Sequence, residues 1–280
     1  MDIRLTHRGV DDDAGRRPPR VAAEAVERWW RGRFGARLLR EVAIIGVLLV
    51  VYRLGRTLGR EETARAFANA REVLRIEGWF GLDTERSLQR VALGHMAVVR
   101  LLNRYYASVH FPASIAFLVV VYLRAERLVP HVRYLFVTVT SAALLIHLAY
   151  PLAPPRMLPG YVDTIARYGP AIYEKSGVAS VANQYAAMPS LHFGWAVLVA
   201  YGGVLALRSP WRWLLVLHPV ITLTAIVLTA NHYWLDAVVA LALILIALVL
   251  TPPSARYANR CHEDLSRSGG GSWSSRSPRP

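Results

Sequence analysis

Six apolar stretches, each about as long as the roughly 17 to 25 residues a helix needs to cross a bilayer, constrain this chain more than any other feature. They cover residues 38–54, 105–123, 132–150, 191–207, 213–230 and 234–250. Inside lipid a backbone has to satisfy its own N–H and C=O groups, so stretches of this kind are read as helices. The expectation is an all-α polytopic membrane protein, a six-transmembrane helical bundle. Arg40 and Glu41 intrude on the first stretch, where charges near an end can snorkel to the surface. Composition agrees: 54% of the 280 residues are apolar and 19% are charged, against roughly a quarter charged in a soluble domain. Mean hydropathy is +0.29. Disorder, collagen and a small secreted scaffold are excluded. The single cysteine, Cys261, excludes an intramolecular disulfide and Cys-rich metal or iron–sulfur sites.

Around the apolar stretches the chain divides into three parts. Residues 1–37 are Arg-rich and polar, expected to form a basic arm and a juxtamembrane helix rather than a cleaved signal. Residues 38–252 form the membrane domain, and residues 253–280, rich in Ser, Gly, Arg and Pro, a disordered tail. The formal charge of +14 sits outside the apolar stretches, which makes an anionic lipid bilayer the expected partner and not nucleic acid. Residues 60–104 combine helical periodicity with abundant charge, including Glu77, and are expected as interfacial amphipathic helices. Residues 151–189 form a polar loop of a length that is usually functional. Six passes put both tails on one side. The basic arm and the basic loops 124–133 and 208–212 mark that side as cytoplasmic, although the Arg-rich segment 60–104 counts against it.

Three polar clusters interrupt the apolar chain: Tyr150-Pro-Leu-Ala-Pro-Pro-Arg156, Met188-Pro-Ser-Leu-His192 and Asn231-His-Tyr-Trp-Leu-Asp236. Counting passes brings all three to one membrane face. Pro189 and Ser190 mark a helix start, whose first N–H groups, those of Leu191 and His192, lack intrahelical acceptors and suit an anion. Ser190 adds a hydroxyl donor, and His192 a proton that titrates near neutrality. His232 and Asp236, four apart, share a helix face, so the carboxylate can accept from the imidazole and leave the second ring nitrogen as a nucleophile. Arg156 supplies a forked, permanent charge suited to phosphate. His147 and His218 are expected as hydrogen-bonded core histidines, since no motif supports a haem-ligating pair. No His-Glu-x-x-His box supports zinc, and calcium loops, Walker glycines and dinucleotide glycines are absent. The constellation is that of a metal-independent, cofactor-free phosphoryl-transfer site.

Those residues resemble the type 2 phosphatidic acid phosphatase superfamily, whose motifs are a Lys/Arg-Pro block, Pro-Ser-Gly-His, and Ser-Arg followed by His and, four further on, Asp. Pro189 to His192, and His232 with Asp236, match in type, order and spacing. Ala-Pro-Pro-Arg, Met-Pro-Ser-Leu-His and His-Tyr-Trp-Leu-Asp resemble more closely the branch named for inositol phosphorylceramide synthase. Asn103, Tyr106 and His110 resemble that branch too and are expected to line the site. The likeness covers roughly residues 61–250. Four positions depart from the pattern: Leu191 replaces Gly, Met157 stands where a Pro is usual, Ala149 where the first-motif Lys would be, and Ile226 where the third-motif Arg would be.

The expected activity is phosphatase or phosphotransferase chemistry on a lipid-linked phosphate or phosphodiester. Arg156, Ser190 and the amides near Leu191 would hold the phosphate. His232, oriented by Asp236, would form a phosphohistidine, with His192 as acid and then base. Water as acceptor makes a phosphatase, and a lipid or sugar hydroxyl a transferase. The competing class is a transporter or lipid-binding protein using the His/Asp cluster as a proton relay.

Overall fold

A computed structural model describes residues 62–169 and 184–251, together with Leu39, Ala43, Gly46, Val47 and Val50. The chain separates into two units, Met1–Tyr52 and Arg53–Pro280. In the first, the five described residues are helical. The remainder of the apolar stretch 38–54, the basic arm 1–37 and the tail 253–280 lie outside the described residues.

The second unit is built from helices, with no strand among its described residues: α1 (Thr63–Trp79), α2 (Glu85–Leu93), α3 (Met96–Ser108), α4 (His110–Arg124), α5 (Val129–Ala149), α6 (Thr164–Tyr168), α7 (Leu191–Ala206), α8 (Leu217–Leu228) and α9 (Trp234–Leu250). A 3-10 turn, Pro210–Val216, runs directly into α8. Two runs are long and apolar enough to cross a bilayer, α5 and Pro210–Leu228, and a third if α3 and Pro112–Arg124, bent by 46°, count together. The bend has a local cause. Pro112 has no N–H to offer the Ser108 carbonyl, and its ring crowds that oxygen. The helices α7 and α9 are apolar but hold 16 and 17 residues, about 24–26 Å at 1.5 Å per residue, short of the roughly 30 Å hydrocarbon core. The described residues thus give two to three spans, where the sequence leads one to expect six.

Packing follows from these lengths. Phe117 of α4, Leu135 and Phe136 of α5, Leu198 of α7 and Ile244 of α9 form one buried cluster. Lipid tails are as apolar as leucine, so such helices associate through close contact more than through water exclusion. Small residues on α7 permit that contact: a Cβ added at Gly202 would lie 2.5 Å from Phe117 Cζ and 3.3 Å from Val132 Cγ2. Outward-facing positions such as Leu145, Leu245 and Val249 are apolar and exposed, which fits a surface that meets lipid.

A second cluster sits beneath the loops. Ala66, Ala70 and Val73 of α1 pack against Leu152, Leu158, Met188 and Tyr233. Tyr233 is fully buried, and its hydroxyl donates to the Ala153 carbonyl at 2.8 Å. Asn69 Nδ2 donates to the Pro151 carbonyl at 2.8 Å. The segment 60–104 therefore departs from the expected run of interfacial helices. Its α1 forms the floor of the loops, its α3 continues into the bent pair, and Glu77 and Glu85 are buried rather than solvated. Gly202→Leu, which overfills the α4–α7 contact, should lower stability by about 1–3 kcal/mol, read as a lower melting temperature in detergent. Val249→Ala, on the outward face, should change it by no more than about 0.5 kcal/mol.

Candidate active site

Helix α8 ends where the site begins. The Ala230 N–H bonds the Val227 carbonyl at 3.0 Å and the Asn231 N–H the Ile226 carbonyl at 2.8 Å, with Ala230 in the left-handed region at φ 54°. This is a Schellman-type stop, in which glycine is the usual occupant because an added Cβ is strained there. It turns the chain so that Asn231 and His232 precede α9 directly. His232 Nδ1 lies 2.9 Å from the Ala187 carbonyl and 3.0 Å from Asp236 Oδ2. A carbonyl can only accept, so Nδ1 carries the proton and donates to both. That tautomer leaves the lone pair on Nε2. His232 is 5% exposed and Asp236 fully buried. Burial first, and then the positive charge of Arg156, hold the His232 imidazole down to about 3, against the opposing pull of the Ala187 hydrogen bond. The ring is neutral at pH 7.

Ser190 is the N-cap of α7, its Oγ accepting the Phe193 N–H at 3.3 Å. Its own N–H donates to the Asp236 carbonyl at 3.1 Å, tying the start of α7 to the first turn of α9. The turn before it is held by His147 of α5, whose Nε2 bonds the Pro189 carbonyl at 3.2 Å. Leu191 and His192 open the helix, where the first N–H groups have no acceptor within the helix itself. The His192 ring lies 5.9 Å from the His232 ring, centroid to centroid. It stacks on Tyr106 at 4.2 Å and tilts over His110 at 4.5 Å; His110 in turn faces Trp195 at 5.6 Å. Trp195 Nε1 donates to Thr140 Oγ1 at 3.0 Å, so the row is anchored at its far end.

Arg156 reaches the same place from the 3-10 turn Pro155–Met157. Its N–H bonds the Ala230 carbonyl at 2.8 Å, Nη1 donates to Asn231 Oδ1 at 2.6 Å, and Nε pairs with Asp163 Oδ2 at 3.3 Å. Asn231 Nδ2 donates in turn to Thr229 Oγ1 at 2.6 Å. The guanidinium is thereby clamped at the mouth of the loop beside the His232 turn.

The structure thus brings Arg156, Ser190, Leu191, His192, His232 and Asp236 together, with Tyr106 and His110 against the His192 ring. Asn103 stands apart in kind. It is fully buried, its Nδ2 donates to the Thr164 carbonyl at 2.8 Å, and its Oδ1 accepts from Thr164 Oγ1 at 3.2 Å. It is a clamp between α3 and α6. Sequence reasoning gave no role to Asn231, Asp163, Ala187, Glu77 or Glu85. Only Asn231, beside His232 in the third cluster, carried a signal that pointed to it. No group of three or more His, Cys, Asp or Glu side chains is arranged to hold a metal among the described residues.

Residues 71–250 match the PAP2 superfamily, a region that spans most of the chain and holds every element of the site. The chain belongs to the PAP2 superfamily. No curated protein and no solved structure matches it significantly. Membership carries phosphatase-type activity on phosphate esters, and the two-to-three apolar spans fit a membrane protein. Asn103→Ala removes both buried hydrogen bonds between α3 and Thr164. It should lower unfolding stability by about 1–3 kcal/mol, measured by denaturant titration in detergent.

Proposed function

We propose that this PAP2 protein transfers a phosphoryl or phosphodiester group from a membrane lipid through a phosphohistidine on His232. The observation that carries the proposal is the pairing of a neutral, Nδ1-protonated His232 on Asp236 Oδ2 at 3.0 Å with a second imidazole, His192, 5.9 Å away. The His232 Nε2 lone pair attacks phosphorus, the bond from phosphorus to the leaving oxygen breaks, and His192 gives that oxygen its proton. The bound phosphate's negative charge stabilises the imidazolium at His192 before transfer. In the second half His192 takes a proton from the acceptor hydroxyl, the new phosphorus–oxygen bond forms, and the bond to Nε2 breaks. His232 returns to its neutral form and His192 to its protonated one. Arg156, the Ser190 hydroxyl and the Leu191 amide at the positive end of α7 hold the phosphate oxygens. No step requires a metal.

Water as acceptor gives a phosphatase, and a lipid or sugar hydroxyl a transferase. The Ala-Pro-Pro-Arg and Met-Pro-Ser-Leu-His sequences support placement in the branch named for inositol phosphorylceramide synthase. In the six-pass layout the tails are cytoplasmic, the site faces the opposite side, and the basic arm rests on anionic lipid.

The test is turnover of lipid phosphates by the purified protein in mixed micelles with chelator present. His232→Ala should lose about a thousandfold or more, and Asp236→Asn, which removes the carboxylate behind the ring, about 10²–10⁴-fold. Vanadate should inhibit. Wild-type turnover by His232→Ala would overturn the proposal in favour of a proton-relay protein whose phosphatase signal comes from elsewhere.

A further inference from the structure

Glu77, near the end of α1, and Glu85, at the start of α2, are 1% and 0% exposed. A carboxyl is not buried without cause, since leaving water is costly unless its oxygens are met. Here the cause is the first turn of α9. Glu77 Oε1 accepts the Leu235 N–H at 2.8 Å, Glu85 Oε1 accepts the Trp234 N–H at 3.2 Å, and Asp236 Oδ2 accepts the Tyr233 N–H at 3.0 Å. Three successive amides at the positive end of α9 are each met by a carboxyl oxygen, two of which come from helices about 150 residues earlier. The remaining oxygens, Oε2 of Glu77 and Oε2 of Glu85, are buried and have no hydrogen-bond partner among the described residues. The two carboxyls are neighbours, since they accept from adjacent amides, those of Trp234 and Leu235. Two carboxyls buried side by side cannot both be charged, so the pair keeps one proton.

We propose that Glu77 and Glu85 form a singly protonated carboxyl pair that positions the first turn of α9, and through Asp236 the His232 ring, for phosphoryl transfer. They are positioning residues, and the assignment rests on the phosphohistidine reading given above. The proton of the pair resides on Glu77. Burial first, then the neighbouring Glu85 carboxyl, and further the charge of Asp236 push Glu77 up to about 9, against the Leu235 N–H. The groups facing the pair are Asp236 and Tyr233 at the head of α9, Tyr161 of the loop, Asp83 of the α1–α2 turn and Arg86 of α2. Arg86 is engaged elsewhere, donating to the Pro159 carbonyl at 2.9 Å and lying over the Tyr161 ring at 5.1 Å. The folded pKa of Glu77 lies above its unfolded value of 4.5. Its stabilisation is therefore complete below about 4.5 and is lost as pH rises through about 9.

Glu77→Gln separates this role from a packing role. The amide keeps an oxygen for Leu235 and places a permanent N–H donor toward Glu85. Glu77→Leu keeps bulk and loses both. At pH 7 Glu77→Leu should lose about 10- to 100-fold in kcat with little change in KM, and Glu77→Gln should restore most of that loss. Between pH 7 and 9.5 the melting temperature and kcat of the wild type should fall, and those of Glu77→Gln should fall less. Should Glu77→Leu fail to fold, the wild-type and Glu77→Gln pH profiles carry the test alone. Superimposable alkaline profiles for these two, or wild-type kcat in Glu77→Leu, would overturn the pair. His232→Ala run alongside keeps the failures distinct: its turnover judges the phosphohistidine, while the melting profiles judge the pair without any turnover.

Discussion

One oxygen atom, Asp236 Oδ2, joins the fold of this protein to its chemistry. It accepts the His232 Nδ1–H and the Tyr233 N–H, both at 3.0 Å, from a side chain with no exposure to solvent. Both donors share this one acceptor, so displacing the Asp236 side chain would release the ring and uncap the helix together. The tautomer of His232, the start of α9 and the course of the chain out of α8 are in effect a single unit. Tyr233, fully buried with its hydroxyl on the Ala153 carbonyl, fastens that unit to the loop that delivers Arg156.

The second imidazole is held by different means. His192 sits in a row of rings, Tyr106, His192, His110 and Trp195, at separations of 4.2 to 5.6 Å. Stacking of this kind fixes a ring plane while leaving its nitrogens to exchange protons. In the proposed mechanism this division suits the two roles: the nucleophile is held by directional bonds at Nδ1, and the acid–base group is confined by faces. The N-cap Ser190 couples them, since its N–H bonds the Asp236 carbonyl at 3.1 Å.

Much of the site was legible in the sequence because its signals are local. The i, i+4 spacing of His232 and Asp236 and the Pro-Ser start of α7 depend on helix geometry within a few residues. What was not legible depends on distant partners. Glu77 reads as one more charge on an amphipathic helix, and its acceptor role appears only when the Leu235 N–H, 158 positions away, is in place. Asn103 follows the spacing of the aromatic row, yet its amide closes on Thr164, 61 positions away. Among the described residues the span count falls short of the expected six for a third reason. Hydropathy reports where apolar residues lie, but Pro112 breaks one run, and α7 and α9 stop after 16 and 17 residues. The α8–α9 turn passes through a left-handed alanine, Ala230, a position for which sequence offers no marker.

The most direct measurement is to trap the covalent intermediate. The purified protein turning over a lipid phosphate is quenched under mildly alkaline conditions that preserve a phosphorus–nitrogen bond, digested and mapped by mass spectrometry. The account predicts a phosphoryl group on the imidazole of residue 232. A phosphoryl group on His192 or on any other residue, or steady turnover with none on residue 232, would contradict it.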